Sequence, residues 1–202
     1  MLLKLEKIIA KYGMKITGVI QAGANEGQEM ELFKQLGITD GVLFEPCVKP
    51  FNELVRKLYG DFEAYNCALS EKDGVASMWV TDFNNGQSNS LLQPKKHLEY
   101  YPDIVFNEKE DIAFTDLDWF GINHCNLLMM DVQGYELEVL KGATETLKHI
   151  DYIYTEVNRE ELYENCAMVE DLDNYLTEFK RVETKWKRKG FGDALYIRKT
   201  LL

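Results

Sequence analysis

What this chain lacks narrows its class before any motif is read. No apolar run approaches the ~18 residues of a membrane span. The N-terminus is expected to form an amphipathic helix rather than a signal peptide, because Glu6 interrupts its apolar stretch and no small-residue cleavage site follows. The four cysteines (Cys47, Cys67, Cys125, Cys166) include no C-x-x-C pair, so zinc-site and disulfide-framework readings are weak. A reducing, cytoplasmic compartment fits them best. Basic charge is scarce: 23 Lys and Arg against 34 Asp and Glu leave a net charge of −11. That balance argues against broad, backbone-driven binding to nucleic acid or to anionic membrane. Internal repeats are missing as well. With 202 residues and 46% hydrophobic content, the chain suits one globular domain, 1–202, with a full core.

What is there is organised around Val19-Ile20-Gln21-Ala22-Gly23-Ala24-Asn25-Glu26-Gly27. A short apolar run ends in a small-residue loop, and a helical pattern starts at once after it. A buried strand, a tight turn and a helix N-terminus would gather backbone N–H groups around one concave point. Small side chains at Ala22, Gly23 and Ala24 let a ligand approach the backbone. An ordinary strand-to-helix turn would also fit this stretch taken alone. The glycine spacing is not that of a dinucleotide loop, and no G-K-[ST] makes it a P-loop. What remains is G-x-N-x-G, similar to the G-x-G-x-G loop of S-adenosylmethionine (SAM) methyltransferases.

The rest of the chain alternates strands with helices, which predicts an α/β, doubly wound, mostly parallel sheet. Leu5, Ile8, Ile9 and Tyr12 fit an opening helix that Gly13 ends. Helices are expected over Glu26–Leu36, from Pro50 through Leu58, from about Gly134, and over Val169–Phe179. Strands are expected at Val42–Phe44, Phe62–Leu69, Leu127–Met130, Tyr152–Tyr154, Arg181–Lys185 and Ala194–Arg198. The last two, joined by the short link 186–192, must be antiparallel, since a parallel pair needs a crossover of a dozen or more residues. Val75–Thr81 reads as a half-exposed strand. Between 82 and 111 the pattern is irregular, and a loop this long with Phe83, Tyr100, Tyr101 and Phe106 reads as a lid or substrate segment.

Three acids stand at strand ends: Glu45, Asp131 and Glu156. Open parallel sheets bind ligands outside the carboxyl ends of their strands, so the three should share a rim with the Gly23–Gly27 loop. Glu45 is placed to accept hydrogen bonds from both hydroxyls of a ribose. Asp131 is the first candidate for taking a proton from a substrate, and holding an ammonium group is its alternative role. Glu156 with Asn158 is the second set, and these with Asp131 form an oxygen-only cation site on paper; no spaced metal motif supports one. His97, in the irregular segment, is a further candidate base. His124, in a turn before the fourth strand, reads as structural. Ser88, Asn89 and Ser90 are candidate acceptor contacts. Trp186, inside the basic run Lys185–Lys189, suits stacking on a sugar ring.

The stretches Val19–Gly27 and Phe44-Glu45-Pro46 resemble the opening of FkbM-type SAM-dependent methyltransferases. So do Phe114-Thr115-Asp116-Leu117-Asp118, the highly specific block Leu127–Ala143 with its Asp131-Val132-Gln133-Gly134 core, and Gly192-Asp193-Ala194-Leu195-Tyr196. The resemblance runs from about residue 16 to 198. It implies a Rossmann-like class I fold, a seven-stranded sheet of order 3-2-1-4-5-7-6 with strand 7 reversed. It also implies methyl transfer from S-adenosyl-L-methionine to a hydroxyl, often on a sugar or glycosylated product. The cofactor contacts expected from it are Gln21, Gly23, Ala24, Asn25, Glu26, Gly27, Glu45, Pro46, Ala68 and Leu69. Asp131, Glu156 and His97 are the expected catalytic groups, and Ser88, Ser90, Asn158 and Trp186 the acceptor contacts, with no metal and no nucleic acid partner. Two departures stand out: the family usually has an acid at the place of Gln21 and a lysine at that of Met129. The same reaction on a non-sugar small molecule, or a non-catalytic nucleotide-binding module, are the alternatives.

Overall fold

The computed structural model describes residues 2–187 and 190–202. Its strands are β1 (Val19–Ala22), β2 (Asp40–Phe44), β3 (Asp61–Tyr65), β4 (Ala68–Leu69), β5 (Gly74–Val80), β6 (Glu108–Thr115), β7 (Leu127–Met130), β8 (Tyr152–Asn158), β9 (Phe179–Trp186) and β10 (Phe191–Arg198). Helices α1 (Leu5–Tyr12), α2 (Met30–Gln35), α3 (Val48–Val55), α4 (Lys96–Tyr100), α5 (Glu136–Lys141) and α6 (Val169–Tyr175) connect or cover them. The main sheet has the order β3-β2-β1-β7-β8-β10-β9. Numbered among these seven strands alone, that is 3-2-1-4-5-7-6. All neighbours pair in parallel except β10, which is antiparallel to both β8 and β9.

Strand periodicity divides the core in two. Ile20, Ala22, Val42, Phe44, Leu128 and Met130 pack on one face of the sheet. Val19, Leu43, Leu127 and Met129 pack on the other. Because both faces are covered, β1 and β7 are buried along their whole length, which explains their unbroken apolar runs. Among the described residues no helix is long and apolar enough to cross a membrane.

Several boundaries differ from the sequence reading. The expected helix over Glu26–Leu36 starts only at Met30, because Asn25 (φ 46°) and Gly27 (φ 68°) hold the preceding turn in left-handed backbone. The expected strand Phe62–Leu69 is broken at Asn66, whose amide donates to the carbonyls of Glu45 and Pro46. Beyond it, β4 leaves the main sheet and joins β5 and β6 in a separate three-stranded sheet. The expected helix Val169–Phe179 ends at Tyr175, and Phe179 opens β9. Segment 82–111 is less irregular than its sequence: it carries a 3-10 turn at Phe83–Gly86, all of α4 and the start of β6.

Candidate active site

The carboxyl ends of β1, β2, β7 and β8 open into one cavity of about 400 Å³, a size typical of small-molecule and cofactor sites. The loop after β1 forms its base. The N–H groups of Gly23 and Ala24 both donate to the Phe44 carbonyl, at 3.0 and 2.9 Å, which locks the loop to the end of β2. Asn25 then donates its N–H to Glu45 Oε2 at 2.8 Å, while Cys47 N–H donates to Oε1 at 2.9 Å. Each Glu45 oxygen thus holds one backbone donor and keeps acceptor capacity on the cavity side. Burial pushes the Glu45 carboxyl up to about 7, against the pull of those two N–H bonds.

Glycine at position 23 answers to the protein's own backbone. A Cβ there would lie 2.2 Å from the Asp131 carbonyl oxygen, and the residue sits at φ 77°. The ends of β1 and β7 approach so closely that only glycine fits, so its smallness does not by itself report a ligand. The same approach brings Asp131, one residue beyond β7, to the cavity wall, with its N–H on the Ala22 carbonyl. Its Oδ1 accepts the Gln133 side-chain amide at 2.7 Å, and the same amide nitrogen lies 3.4 Å from Glu156 Oε2. Gln133 is held at φ 53°, with its Oε1 3.0 Å from the Tyr163 hydroxyl and its carbonyl accepting from Ser90 Oγ.

Burial raises both carboxyls; it carries Glu156 well above the usual range, with the charges of Asp131 and Glu136 beside it adding to the effect. Of the two, Asp131 accepts the shorter contact from the Gln133 amide. Glu136, which the sequence reading did not single out, is also buried. It accepts the N–H groups of Val132 and Gly134, and burial pushes it up to about 7. It opens α5, and in the sequence it appeared only as one residue of the Leu127–Ala143 block.

Of the cofactor residues expected from the sequence, Gln21, Gly23, Asn25, Glu45, Pro46, Ala68 and Leu69 line the cavity. Ala24 and Gly27 do not: Ala24 is buried in the core, and Gly27 packs against Leu54 and Met30. Glu26 faces a neighbouring groove instead. Asp131, Glu156 and His97 all reach the cavity, as does Ser88. His97 is buried among the rings of Tyr101, Phe106 and Tyr163. Ser90 is fully buried beneath Gln133 and does not line it, nor does Asn158. The Asn158 amide is buried two residues beyond Glu156, and neither its nitrogen nor its oxygen has a hydrogen-bond partner among the described residues. Trp186 also stands outside, under the Arg159 guanidinium at 5.1 Å, whereas its neighbour Lys187 lines the cavity. Arg188 and Lys189 of the basic run lie outside the described residues. Among the described residues no group of three or more His, Cys, Asp or Glu side chains is placed to hold a metal ion.

The sequence reading missed Glu29 and Phe191 as lining residues, and it named Tyr101 and Lys187 only within the aromatic segment 82–111 and the basic run. Segment 82–111 supplies one wall through Phe83, Ser88, Leu91, His97, Tyr101 and Ile104. It is tied to the loop after β1 by the Asn25 amide, which donates to the Asn85 carbonyl at 2.9 Å. Gln21 and Met129, the two departures from the family pattern, are register partners on β1 and β7. The two therefore stand side by side as a neutral pair at the carboxyl ends of β1 and β7.

Comparison with known proteins agrees with this architecture. The model of the methyltransferase FkbM domain matches residues 21–191. The 2-O-methyltransferase NoeI of Sinorhizobium fredii (strain NBRC 101917 / NGR234) is 29% identical over 201 residues, covering 91% of this chain and 80% of NoeI. Among solved structures, magnesium protoporphyrin IX methyltransferase (ChlM) from Synechocystis PCC 6803 with bound SAM shares the fold. Its TM-score is 0.51 at 10% identity, over 96% of this chain and 77% of that one. A protein in the NADB-Rossmann superfamily from Streptococcus agalactiae gives a TM-score of 0.51 at 12% identity, over 98% and 69%. With the family match spanning most of the chain and the cavity at the carboxyl ends of the strands, this chain belongs to the FkbM methyltransferase family.

Proposed function

We propose that this methyltransferase acts on a sugar hydroxyl of a glycan or glycosylated small molecule. The methyl donor of the family is S-adenosylmethionine, and the residues of the cavity fit it. Glu45 offers two acceptor oxygens for the ribose hydroxyls, Ala68 and Leu69 an apolar edge for the base, and the acidic wall a counter-charge for a cationic ligand. When bound, the cofactor supplies a methyl group on a positively charged sulfur.

The observation that carries the reading is the position of Asp131. Strand β7 lies between β1 and β8, so its carboxylate stands between the Gly23–Glu45 side and the side built from Glu156, His97, Tyr101 and Phe191. A hydroxyl gains acidity only as it forms a bond to carbon, and a carboxylate held beside it takes the proton late. General-base help of this kind is typically worth about 10²–10⁴-fold. Gln133 keeps Asp131 in place, and Tyr163 in turn positions Gln133. Tyr101 and Phe191 give rings for the apolar face of a sugar, and Ser88, Gln133 and Lys187 give polar groups around it. The oxygen acceptor is supported by the relative named a 2-O-methyltransferase. A screen with labelled SAM over sugars, glycans and non-sugar alcohols tests the proposal. Label found in a methyl ether on a sugar supports it, and transfer confined to non-sugar acceptors overturns it.

A further inference from the structure

We infer that Glu29, steadied by Gln21, is the charged partner of the cofactor's ammonium group. The inference rests on the reading of the cavity as a S-adenosylmethionine site. The amino-acid end of that cofactor carries an ammonium, and a buried or half-buried cation needs a charged acceptor. Gln21, on β1 just before the loop, lines the cavity but brings only a neutral amide. That amide is buried, and its Nε2 donates to Glu29 Oε2 at 3.1 Å. The bond turns the Glu29 carboxylate toward the end of β1, where it too lines the cavity.

The other acids of the wall are committed elsewhere. Glu45 stands on the β2 side, where each oxygen holds a backbone N–H and the acceptor capacity left to it is assigned to the ribose hydroxyls. Asp131 takes the Gln133 amide, and Glu156 is deeply buried beside it. Glu29 has no ion-pair partner among the described residues and makes no cap bond at the start of α2. It lies close enough to Asp131 for its charge to help raise that carboxyl. An ammonium placed against Glu29 would relieve this repulsion, and Asp131 would be left for the acceptor hydroxyl.

Two ligands separate this role from general binding. S-adenosylhomocysteine carries the ammonium, whereas methylthioadenosine has the same nucleoside and thioether without the amino acid. In calorimetric titrations Glu29→Gln should weaken S-adenosylhomocysteine about ten- to hundredfold and leave methylthioadenosine unchanged. The exchange Gln21→Glu with Glu29→Gln should restore most of the loss. Unchanged S-adenosylhomocysteine affinity in Glu29→Gln overturns the inference. So does an equal loss for both ligands, or a selective loss seen in Asp131→Asn in its place. If the unchanged protein binds neither ligand, the cofactor reading itself fails.

Discussion

If Glu45 receives the ribose hydroxyls, cofactor binding must depend on pH in a way that a solvated carboxylate would not produce. Burial holds the Glu45 carboxyl at about 7 in the free protein. Hydroxyl donors favour the ionised form, so binding drives the proton off wherever it is present beforehand. At pH 6 only about one molecule in ten has the carboxylate ready, whereas at pH 8 nearly all do. Apparent affinity for S-adenosylhomocysteine should therefore fall about tenfold from pH 8 to pH 6, or about 1.4 kcal/mol. Calorimetry in buffers of different ionisation enthalpy should count close to one proton released per site at pH 6 and almost none at pH 8. Glu45→Gln should remove the proton release that belongs to this carboxyl, flattening most of the pH dependence, and weaken binding at pH 8 by roughly 1–3 kcal/mol. A flat profile from pH 6 to 8 in the unchanged protein, with no buffer dependence, would refute the assignment of Glu45 to the ribose.

Three further outcomes follow from the same geometry. Asp131→Asn should keep S-adenosylhomocysteine affinity within about threefold while lowering kcat by about 10²-fold or more, since the lost interaction belongs to the transition state; a loss of affinity with unchanged kcat would show that Asp131 holds cofactor instead. Glu136 binds its proton more tightly folded than unfolded, its carboxyl rising from 4.5 to about 7, so the folded protein loses stability as pH rises through that window. Glu136→Gln keeps the acceptor for Val132 and Gly134 and should melt like the parent at pH 4 but gain up to about 3 kcal/mol at pH 8, and equal melting at both pH values would contradict the buried charge. Gly23→Ala should cost about 3 kcal/mol or more, because its Cβ meets the Asp131 carbonyl oxygen, whereas Gly27→Ala meets the movable ends of Leu54 and Met30 and should cost less; urea titrations giving equal losses would sink that distinction.

The sheet was legible because β1, β2, β7 and β8 are short runs rich in apolar residues and bounded by loops; β1 ends in small residues, and the other three carry an acid at the same rim. The helix ends were not. Leu172, Leu176 and Phe179 face one core cluster, so their spacing fits a helix through Phe179 as well as a helix that stops and a strand that begins. Periodicity is blind to that change. The small sheet was hidden for another reason: β4 is two residues long, and the break before it depends on the Asn66 side chain reaching the carbonyls after β2. In the site, strand-end acids announced themselves, but Glu29 did not, because its role depends on Gln21 crossing from a strand to the start of a helix. Ser90, in a polar loop, and Asn158, beside Glu156 at a strand end, read as acceptor contacts from their place in the sequence. Burial behind the cavity wall is a property of packing that the local sequence does not carry.

The central claim is that one cavity holds S-adenosylmethionine across the β1 loop with Asp131 facing the acceptor. A crystal structure with S-adenosylhomocysteine tests it most directly. The ribose should lie on Glu45, the ammonium at Glu29 beside Gln21, and the sulfur toward Asp131 with Tyr101 and Phe191 beyond it. Density for the nucleoside away from Glu45, or an amino-acid end directed at Glu156 and His97, would contradict it.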